Sequence, residues 1–220
     1  MNYSKIAVLI PTFNPDENLV KLVEILQKEG FSNIIVVNDG SVDDRALYKI
    51  KVKKVLGHSF NRGKGYSLKE GFKYIYETDT LGVIIVDDDL QHDVFDIKNM
   101  CNLFLKEEGI YFGVRSFEGA PLIRRKANIF TANLFNKLYD FNLRDTQCGL
   151  RLYPRWILPK LMNISGDGFE YEMNQIKFLA LNRYDIFQVP IKTIYNGKSS
   201  HFNGLKDSYK IIKNLFNKNV

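Results

Sequence analysis

The sequence is poor in cysteine, histidine and long apolar runs, and each shortage excludes a class of protein. Two cysteines in 220 residues are too few for a disulfide framework or a zinc set. The three histidines are scattered without zinc-ligand spacing. No apolar run approaches the roughly 20 residues that span a bilayer, and no signal peptide opens the chain. We therefore expect a protein of the reducing cytoplasm, which could still lie on the inner face of a membrane.

Apolar side chains and positive charge are abundant instead. With 45% hydrophobic residues, including 16 Phe and 12 Tyr, the chain can build one full core, so we expect a single domain over residues 1–220. The net charge of +6 favours anionic partners such as nucleotides, phosphates or an acidic membrane surface. We expect no nucleic-acid partner, because net charge is the only feature that would support one. The oligomeric state stays open.

The stretch from Gly82 to Asp93 is the strongest functional signal. Val83 to Val86 is an unbroken apolar run, typical of a strand buried on both faces of a parallel sheet. Because side chains alternate along an extended segment, Asp87 and Asp89 would share one side, and Gln91 would join them if the segment stays extended. Two carboxylates and an amide oxygen form a site that suits Mg²⁺ or Mn²⁺.

The same acidic stretch has a plainer interpretation, a solvated turn at a strand end, because aspartate is common in turns. Its position favours a site, since ligands of open α/β sheets bind at the carboxyl ends of the strands. Calcium is a weaker candidate, because the stretch lacks the Asp-x-Asp-x-Asp-Gly loop with a Glu at its twelfth position.

The N-terminal part of the chain alternates between strand and helix patterns. Ile6–Ile10 is a predicted strand that Pro11 ends, and Ile34–Val37 is the next strand. Between them, Asn14 is predicted to cap a helix that has Pro15 at its first position. Strand, helix and strand in this order form a βαβ unit, so we predict an α/β fold with a mostly parallel sheet flanked by helices.

A basic, glycine-containing loop precedes the next predicted helix. Its sequence, Asn-Arg-Gly-Lys-Gly at 61–65, would place cations and free N–H groups at a helix N-terminus, which favours an anion. The loop is not a Walker loop, because the glycine spacing differs and no Ser or Thr follows Lys64. An ordinary surface turn is the alternative on these residues alone. A short helix over 43–50 and a marginal strand over 52–56 are predicted before it.

The second half of the chain continues the alternation. We predict a helix around 97–104, a strand over 109–114, a long helix over 121–141, a strand entered through 145–151, a helix over 168–182 and a last strand over 186–194. Arg124 lies near the start of the long helix. Glu170 and Glu172 lie in the first turn of the later helix, where carboxylates also simply favour the helix dipole. Pro190 marks the last strand as an edge.

Six short motifs occur in order along the chain: Pro-Thr-Phe-Asn at 11–14, Asn-Asp-Gly-Ser at 38–41, Asn-Arg-Gly-Lys-Gly at 61–65, Asp-Asp-Asp-Leu-Gln-His at 87–92, Asp-Thr-Gln-Cys-Gly-Leu-Arg at 145–151 and Lys-Ser-Ser-His-Phe at 198–202. Each is weak alone. Together they resemble family 2 glycosyltransferases, above all the dolichyl- and polyprenyl-phosphate sugar synthases and their bacterial relatives. The resemblance covers nearly the whole chain and implies the GT-A fold, a Rossmann-like three-layer α/β architecture.

The resemblance also implies roles for individual residues. Asp39 would contact the base or ribose of a nucleotide, and the metal-binding and diphosphate-binding motif would be Asp87, Asp89 and Gln91. Further implied contacts to the nucleotide-sugar are Pro11, Phe13, Lys64, Asp88, Arg115 and Arg151. The implied catalytic residues are Arg124, which would meet a phosphate, and the two candidates for a general base, Asp145 and Glu172.

Three departures from the family pattern matter. Pro15 stands where the family often has Glu, so a nucleotide contact there is lost or supplied by Asp16 or Glu17. Asn38 stands where the family usually has another Asp. Members that modify lipid carriers often end in transmembrane helices, and this chain has none. This last departure bears on the lipid acceptor more than on the donor.

The implied activity is the inverting transfer of a sugar from a UDP- or GDP-sugar, with Mg²⁺ or Mn²⁺, to a polyprenyl or dolichyl phosphate or to another cell-envelope glycan acceptor. A hydroxyl acceptor needs a general base, whereas a phosphate acceptor is already anionic and needs arginines instead. The rivals are a sugar-nucleotide nucleotidyltransferase and a non-catalytic nucleotide-sugar-binding module. The first would carry a glycine-rich N-terminal signature, and the second would be expected to lose part of its acidic site.

An amphipathic helix is predicted over about 205–216. Its apolar stripe and flanking lysines fit two interpretations, packing on the domain or lying in the interface of an anionic membrane. The second interpretation predicts salt-sensitive binding to anionic vesicles that weakens when the residues after Asn203 are deleted.

Overall fold

A seven-stranded sheet lies at the centre of the protein, whose computed structural model describes residues 3–116 and 122–194. The strands are β1 (Ile6–Thr12), β2 (Ile34–Asn38), β3 (Lys54–Gly57), β4 (Gly82–Ile85), β5 (Ile110–Arg115), β6 (Arg151–Pro154) and β7 (Ile186–Ile191). Their spatial order is β3-β2-β1-β4-β6-β5-β7. All neighbouring strands run parallel except β6, which is antiparallel to both β4 and β5.

Helices cover both faces of the sheet. The α-helices of the described residues are α1 (Glu17–Lys28), α2 (Lys64–Tyr76), α3 (Val94–Lys106), α4 (Leu122–Tyr139), α5 (Leu158–Met162) and α6 (Glu170–Leu181). Val8 and Ile10 of β1 belong to the core shared with α1 and α3, whereas Ala7 and Leu9 belong to the core shared with α2, α4, α5 and α6. Alternate residues of one strand thus enter two cores, which confirms the predicted three-layer α/β fold.

Strand β1 is longer than predicted, because it runs through Pro11 to Thr12. Val8 bonds on the β2 side of the strand, so Pro11, three positions later, faces the β4 side. Strand β4 has already ended at that level, and the missing N–H of proline therefore breaks no bond in the sheet.

Helix α1 begins later than predicted. Its N-cap is Asp16, whose carboxylate accepts the N–H of Asn18 at 2.8 Å. Asn14 has a φ of 52° instead, and its side-chain oxygen accepts the N–H of Val42 at 2.9 Å. Asn14 therefore ties the loop after β1 to the loop after β2 and does not cap the helix.

The remaining elements agree with the predictions except around β6. The predicted edge strand containing Pro190 is β7, at one end of the sheet. The segment predicted as a short helix is the 3₁₀ helix Arg45–Lys49. The antiparallel direction of β6 and the 3₁₀ helix Arg155–Ile157 after it were not predicted, because a four-residue strand buried throughout shows no periodicity.

Two predictions fall beyond the described residues. The C-terminal helix over 205–216 and the motif at 198–202 both lie outside them, and so they stay predictions. Within residues 3–116 and 122–194, none of the helices has the length and apolar character needed to cross a bilayer.

Candidate active site

The carboxyl ends of β1, β2 and β4 meet at one edge of the sheet, because these strands are parallel. At this edge the Thr12 hydroxyl donates a hydrogen bond to a carboxylate oxygen of Asp88. The backbone N–H of Asp39 donates to the carbonyl oxygen of Thr12 at 2.9 Å. The motif at 11–14 thus contacts both the motif at 38–41 and the motif at 87–92.

Lys64 links this acidic edge to helix α6. It is the first residue of α2, and its Nζ lies 2.8 Å from Asp87 Oδ1 and 3.1 Å from Glu172 Oε2. Burial disfavours the ammonium group, but the charges of Asp87 and Glu172 outweigh burial and hold the pKa of Lys64 above its usual value. Lys64 is therefore charged throughout the physiological range and compensates two carboxylates at once.

Asp87 is the most strongly ionised of the three consecutive aspartates. Burial opposes its charge, but Lys64 first and the nearby His92 ring second hold the pKa of Asp87 well below its usual range. His92 Nε2 lies 3.9 Å from Asp87 Oδ2, on the side of the carboxylate away from the Lys64 contact at Oδ1. Asp87 is therefore a carboxylate held in place by a positive charge on one side and an imidazole on the other.

Asp88 and Asp89 resist ionisation. Burial raises the pKa of Asp88 to about 6, and the charges of Asp87 and Asp89 add to that shift against the hydrogen bond from Thr12. The pKa of Asp89 is also raised, by burial first and then by the charge of Asp87. A cluster of acids that oppose one another's charge is stabilised by a cation placed among them. This chemistry fits a divalent ion.

The chain turns directly after the aspartates, so the extended geometry expected for Gln91 does not form. Leu90 has a φ of 59° within this turn. Gln91 supports Asp89 through its backbone, whose N–H donates to Asp89 Oδ1 at 3.0 Å. In the described residues, no group of three or more His, Cys, Asp or Glu side chains is arranged to hold a metal ion. Asp87 and Asp89 would therefore need other oxygen ligands to complete a site.

Two glycines permit the close approaches on which the Lys64 bridge depends. Gly63, just before Lys64, has a φ of 100°, and a Cβ there would lie 2.4 Å from the carbonyl oxygen of Asp167. Gly149 lies against Asp87, since a Cβ there would lie 2.5 Å from Asp87 Oδ2. The first glycine lets α2 meet the start of α6, and the second lets the 145–151 segment support the acidic edge.

Replacing Gly149 with alanine is expected to lower turnover at this site by about 100-fold, because the added methyl group displaces the Asp87 carboxylate from Lys64. Steady-state kinetics and thermal unfolding measure the effect. Gly57→Ala is the matched control at the same sheet edge, where the nearest neighbour of an added Cβ would be 3.3 Å away. Unchanged kinetics in Gly149→Ala would show that Asp87 does not depend on this contact.

Asp145, a predicted general base, pairs with Arg115, a predicted phosphate ligand. Arg115 Nε donates to Asp145 Oδ2 at 2.7 Å and its NH2 group donates to Oδ1 at 3.0 Å. Asn128 and the backbone N–H of Gln147 also donate to Oδ1, at 3.2 and 2.9 Å. Burial opposes the charge of Asp145, but Arg115 outweighs it and holds the pKa of Asp145 below its usual range. A buried carboxylate with these partners is a poor proton acceptor, so its position corrects the role expected from the sequence.

Arg151 also departs from its expected role. Its side chain is buried, and its guanidinium donates to the carbonyl oxygens of Cys148 at 3.0 Å and Glu172 at 2.8 Å and to Gln175 Oε1 at 3.1 Å. These contacts face the core between β6 and α6. Arg151 therefore holds the backbone of Glu172 from the core side and does not face a phosphate at the sheet edge.

Asp39 is only 4% exposed, and it braces the basic loop. Its two carboxylate oxygens accept the backbone N–H groups of Arg62 and Gly63, both at 2.8 Å. His58 Nδ1 lies 3.4 Å from Asp39 Oδ1. This geometry adds a role that the sequence did not reveal, since Asp39 sets the conformation of the loop that presents Lys64. Its contact to a nucleotide stays a prediction.

Glu172 is the predicted base that the structure leaves available. Its side chain is 15% exposed, and Oε1 has no hydrogen-bond partner within the described residues, while Oε2 contacts Lys64. Phe13 is half-exposed beside the edge, whereas Pro11 is buried within β1. Arg124 lies in the first turn of α4, and its side chain is outside the description.

Three residues of the site were missed at the level of single residues. Thr12, His92 and Gly149 all lie inside the motifs quoted above, and each touches an aspartate of the acidic edge. The motifs that contain these residues were recognisable in the sequence. Their individual contacts depend on which strands are neighbours and on the antiparallel direction of β6, which a single sequence does not reveal.

A mostly parallel sheet with an acidic cluster at its carboxyl edge is the arrangement of the GT-A glycosyltransferases, and solved structures support this class. The chain aligns with glucosyl-3-phosphoglycerate synthase from Mycobacterium tuberculosis, solved in complex with Mn²⁺, UDP and glucosyl-3-phosphoglycerate. The alignment has a TM-score of 0.73 and 16% identity, and it covers 98% of this chain and 80% of that one. It shows the GT-A fold.

A family model described as glycosyl transferase family 2 matches residues 7–162, and the chain belongs to this family. An uncharacterised protein of Methanocaldococcus jannaschii is 29% identical over 96% of this chain and 93% of its own length. The UDP-N-acetylglucosamine–dolichyl-phosphate N-acetylglucosaminyltransferase of Methanococcus voltae is 26% identical over 86% of each chain. The dolichyl-phosphate β-glucosyltransferase of Saccharomyces cerevisiae is 23% identical over 84% of this chain and 66% of its own.

Proposed function

We propose that the protein is an inverting glycosyltransferase that moves a sugar from a UDP- or GDP-sugar, UDP first, to a phosphate-bearing acceptor, most simply a polyprenyl or dolichyl phosphate or another cell-envelope glycan acceptor. One observation carries the proposal. Lys64 holds Asp87 and Glu172 together at the carboxyl edge of the sheet, next to two aspartates that resist ionisation. This is a site prepared for an anion and a cation together, as a nucleoside diphosphate with its metal ion would be.

Mg²⁺ or Mn²⁺ would be held by Asp87 and Asp89, and other oxygen ligands would take the position that the sequence predicted for Gln91. When bound, the ion would supply charge neutralisation for the leaving diphosphate. The fit rests on the chemistry of the donor set, because Asp89, whose pKa is raised by burial and by the charge of Asp87, would gain from a neighbouring cation. The M. tuberculosis synthase of the same fold was solved with Mn²⁺ and UDP, which supports this choice of ligands.

The protein's own charges would assist departure of the nucleoside diphosphate. Lys64 is a buried, permanently charged group at a helix N-terminus, where backbone N–H groups also favour an anion. Negative charge develops on the leaving oxygen as the sugar bond breaks, and Lys64 would stabilise that charge more in the transition state than in the ground state. The acceptor oxygen attacks from the opposite face of the sugar, so the anomeric centre inverts.

The acceptor decides whether Glu172 acts as a base. Glu172 has one carboxylate oxygen without a partner in the described residues, so it can accept the proton of an attacking hydroxyl group. A phosphate acceptor brings its own negative charge and needs no such step. The dolichyl-phosphate enzymes among the relatives favour a lipid phosphate, and the synthase crystallised with its phosphoglycerate product favours a phosphate-bearing acceptor in general.

We expect the purified protein to release UDP from a UDP-sugar and to glycosylate a polyprenyl phosphate in the presence of Mn²⁺. The experiment offers UDP-glucose, UDP-N-acetylglucosamine and GDP-mannose separately, with dolichyl or undecaprenyl phosphate, and measures free nucleoside diphosphate and the lipid product. Release of pyrophosphate would favour the nucleotidyltransferase alternative. Binding of a sugar nucleotide without turnover on any phosphate or glycan acceptor would favour the non-catalytic module.

A further inference from the structure

Helix α4 has an outer face that is both apolar and basic. Its 18 residues contain Arg124, Arg125, Lys126 and Lys137 and no acidic residue. Ile129 is 43% and Phe130 58% exposed, and these two large apolar side chains are adjacent on the helix. Arg125, Lys126 and Lys137 are exposed as well.

Lys126, Phe130 and Lys137 share one side of α4, with Ile129 beside them, because the opposite side is fixed in the core. Asn128, Thr131, Ala132 and Phe135 are buried, and Phe135 belongs to the core cluster on this face of the sheet. Residues 126, 130, 133 and 137 follow the helical repeat on the opposite side and are all exposed. Apolar and cationic side chains thus lie on the same outer face, which is typical of a helix that rests in a membrane interface.

The positive charge of this face distinguishes among three possible partners: the C-terminal segment, a second copy of the chain and a lipid surface. The C-terminal segment 205–216 has three lysines and one aspartate, so its like charge opposes packing against Arg125, Lys126 and Lys137. A second copy of the chain would meet the same repulsion at its own α4. A surface of anionic lipid headgroups complements the cations, and the layer beneath it accepts Ile129 and Phe130.

We propose that α4 docks the protein on an anionic lipid surface. The helix also borders the active site, since Asn128 on its inner side donates to Asp145, the partner of Arg115 at the end of β5. Docking through α4 therefore brings the bilayer to the edge of the sheet where transfer would occur. This proposal deepens the proposed function and rests on it, because docking would present a lipid-linked phosphate to the active site.

The test is co-sedimentation of the full-length protein with vesicles of phosphatidylcholine and phosphatidylglycerol at low salt, with phosphatidylcholine vesicles alone for comparison. We expect binding to the anionic vesicles only. Lys126→Glu should weaken it at least fivefold, and Phe130→Ser by a similar factor, since one loses charge attraction and the other apolar insertion. Both side chains are exposed, so the fold should persist, and thermal unfolding checks this.

Two matched variants lie on other parts of the protein. Tyr48→Ser changes an 81% exposed aromatic residue near the opposite end of the sheet, and Lys73→Glu reverses an exposed charge on α2. Both should bind vesicles like the wild type. Equal binding by the α4 variants and the wild type would overturn the proposal. Binding that is lost only when the residues after Asn203 are deleted would also overturn the proposal. A change from dimer to monomer in the α4 variants, measured by light scattering, would overturn it as well.

A second readout separates docking from catalysis. A short-chain, water-soluble polyprenyl phosphate needs no bilayer, so Lys126→Glu and Phe130→Ser should turn it over at the wild-type rate. If the wild type binds anionic vesicles through α4 but transfers sugar to no lipid phosphate, docking stands and the proposed acceptor is wrong. If it transfers sugar and α4 variants still bind vesicles fully, the proposed function stands and docking through α4 is wrong.

Discussion

Asp89→Asn is expected to lower glycosyl transfer by roughly 100- to 1000-fold while the fold stays intact, because it removes a carboxylate from the proposed site for Mg²⁺ or Mn²⁺. The folded protein already disfavours the charge of Asp89, whose pKa is raised by burial and by Asp87. The neutral side chain should therefore leave the free energy of unfolding without metal unchanged or slightly increased at neutral pH. Initial rates over a titration of Mn²⁺, together with thermal unfolding, measure both effects.

Asp79→Asn is the matched control for this variant. Asp79 pairs with Lys5 on the surface, and its side chain is 87% exposed, so its loss should change neither metal dependence nor rate. Full activity of the wild type in excess chelator would reject the metal-dependent mechanism. Full activity of Asp89→Asn would remove Asp89 from it.

Asp145→Asn is expected to destabilise the protein by about 3 kcal/mol, because it removes a fully buried carboxylate that forms a bidentate ion pair with Arg115. For a chain of this length, each kcal/mol corresponds to about 2–4 °C in Tm, so the expected fall is about 6–12 °C. Catalysis by the folded fraction should stay within roughly tenfold of wild type, since Asp145 is a positioning residue in this geometry. A variant that keeps wild-type stability but loses transfer would restore Asp145 as the base.

The pH dependence of the same variant provides a second check. The pKa of Asp145 is lower in the folded protein than in the unfolded chain, so its contribution to stability is present above the unfolded value of about 4 and is lost as the pH falls through the folded value. The difference in stability between wild type and Asp145→Asn should therefore shrink in acid. Asp140→Asn, which breaks the exposed pair with Arg183, should show no measurable difference at any pH.

The backbone architecture could be predicted because it follows from short-range patterns. The apolar run Val83–Val86 predicted a buried strand, and the strand Gly82–Ile85 lies in the middle of the sheet. Because parallel strands gather their carboxyl ends at one edge of the sheet, the segments that follow β1, β2 and β4 come together there. The GT-A class followed from the order of the motifs, and the family match confirms it.

The pairing of charged side chains could not be predicted in the same way. Arg115 follows a strand and Asp145 precedes one, so in a parallel sheet they would lie at opposite edges, and only the antiparallel direction of β6 brings them together as a bidentate pair. Arg151 begins a strand and was expected to be accessible, yet the strand is buried over all its residues, so the guanidinium turns inward. Gln91 was expected beside Asp87 and Asp89 only if the segment stayed extended. The turn at Leu90 breaks the alternation of side chains, so Gln91 does not join them.

The reversed strand β6 has a consequence for how such a protein can diversify. Parallel strands deliver only their outgoing loops to the active edge, whereas β6 delivers its incoming segment. The chain therefore leaves the edge at Arg115 and returns to it at Asp145, and the ion pair between these two residues closes the excursion. Changes in the length of the loops within the excursion cost little closure entropy, whereas α4 is also tied to the core through Phe135. The loops on either side of α4 can thus vary in length among related proteins while the ion pair holds both ends of the excursion at the sheet edge.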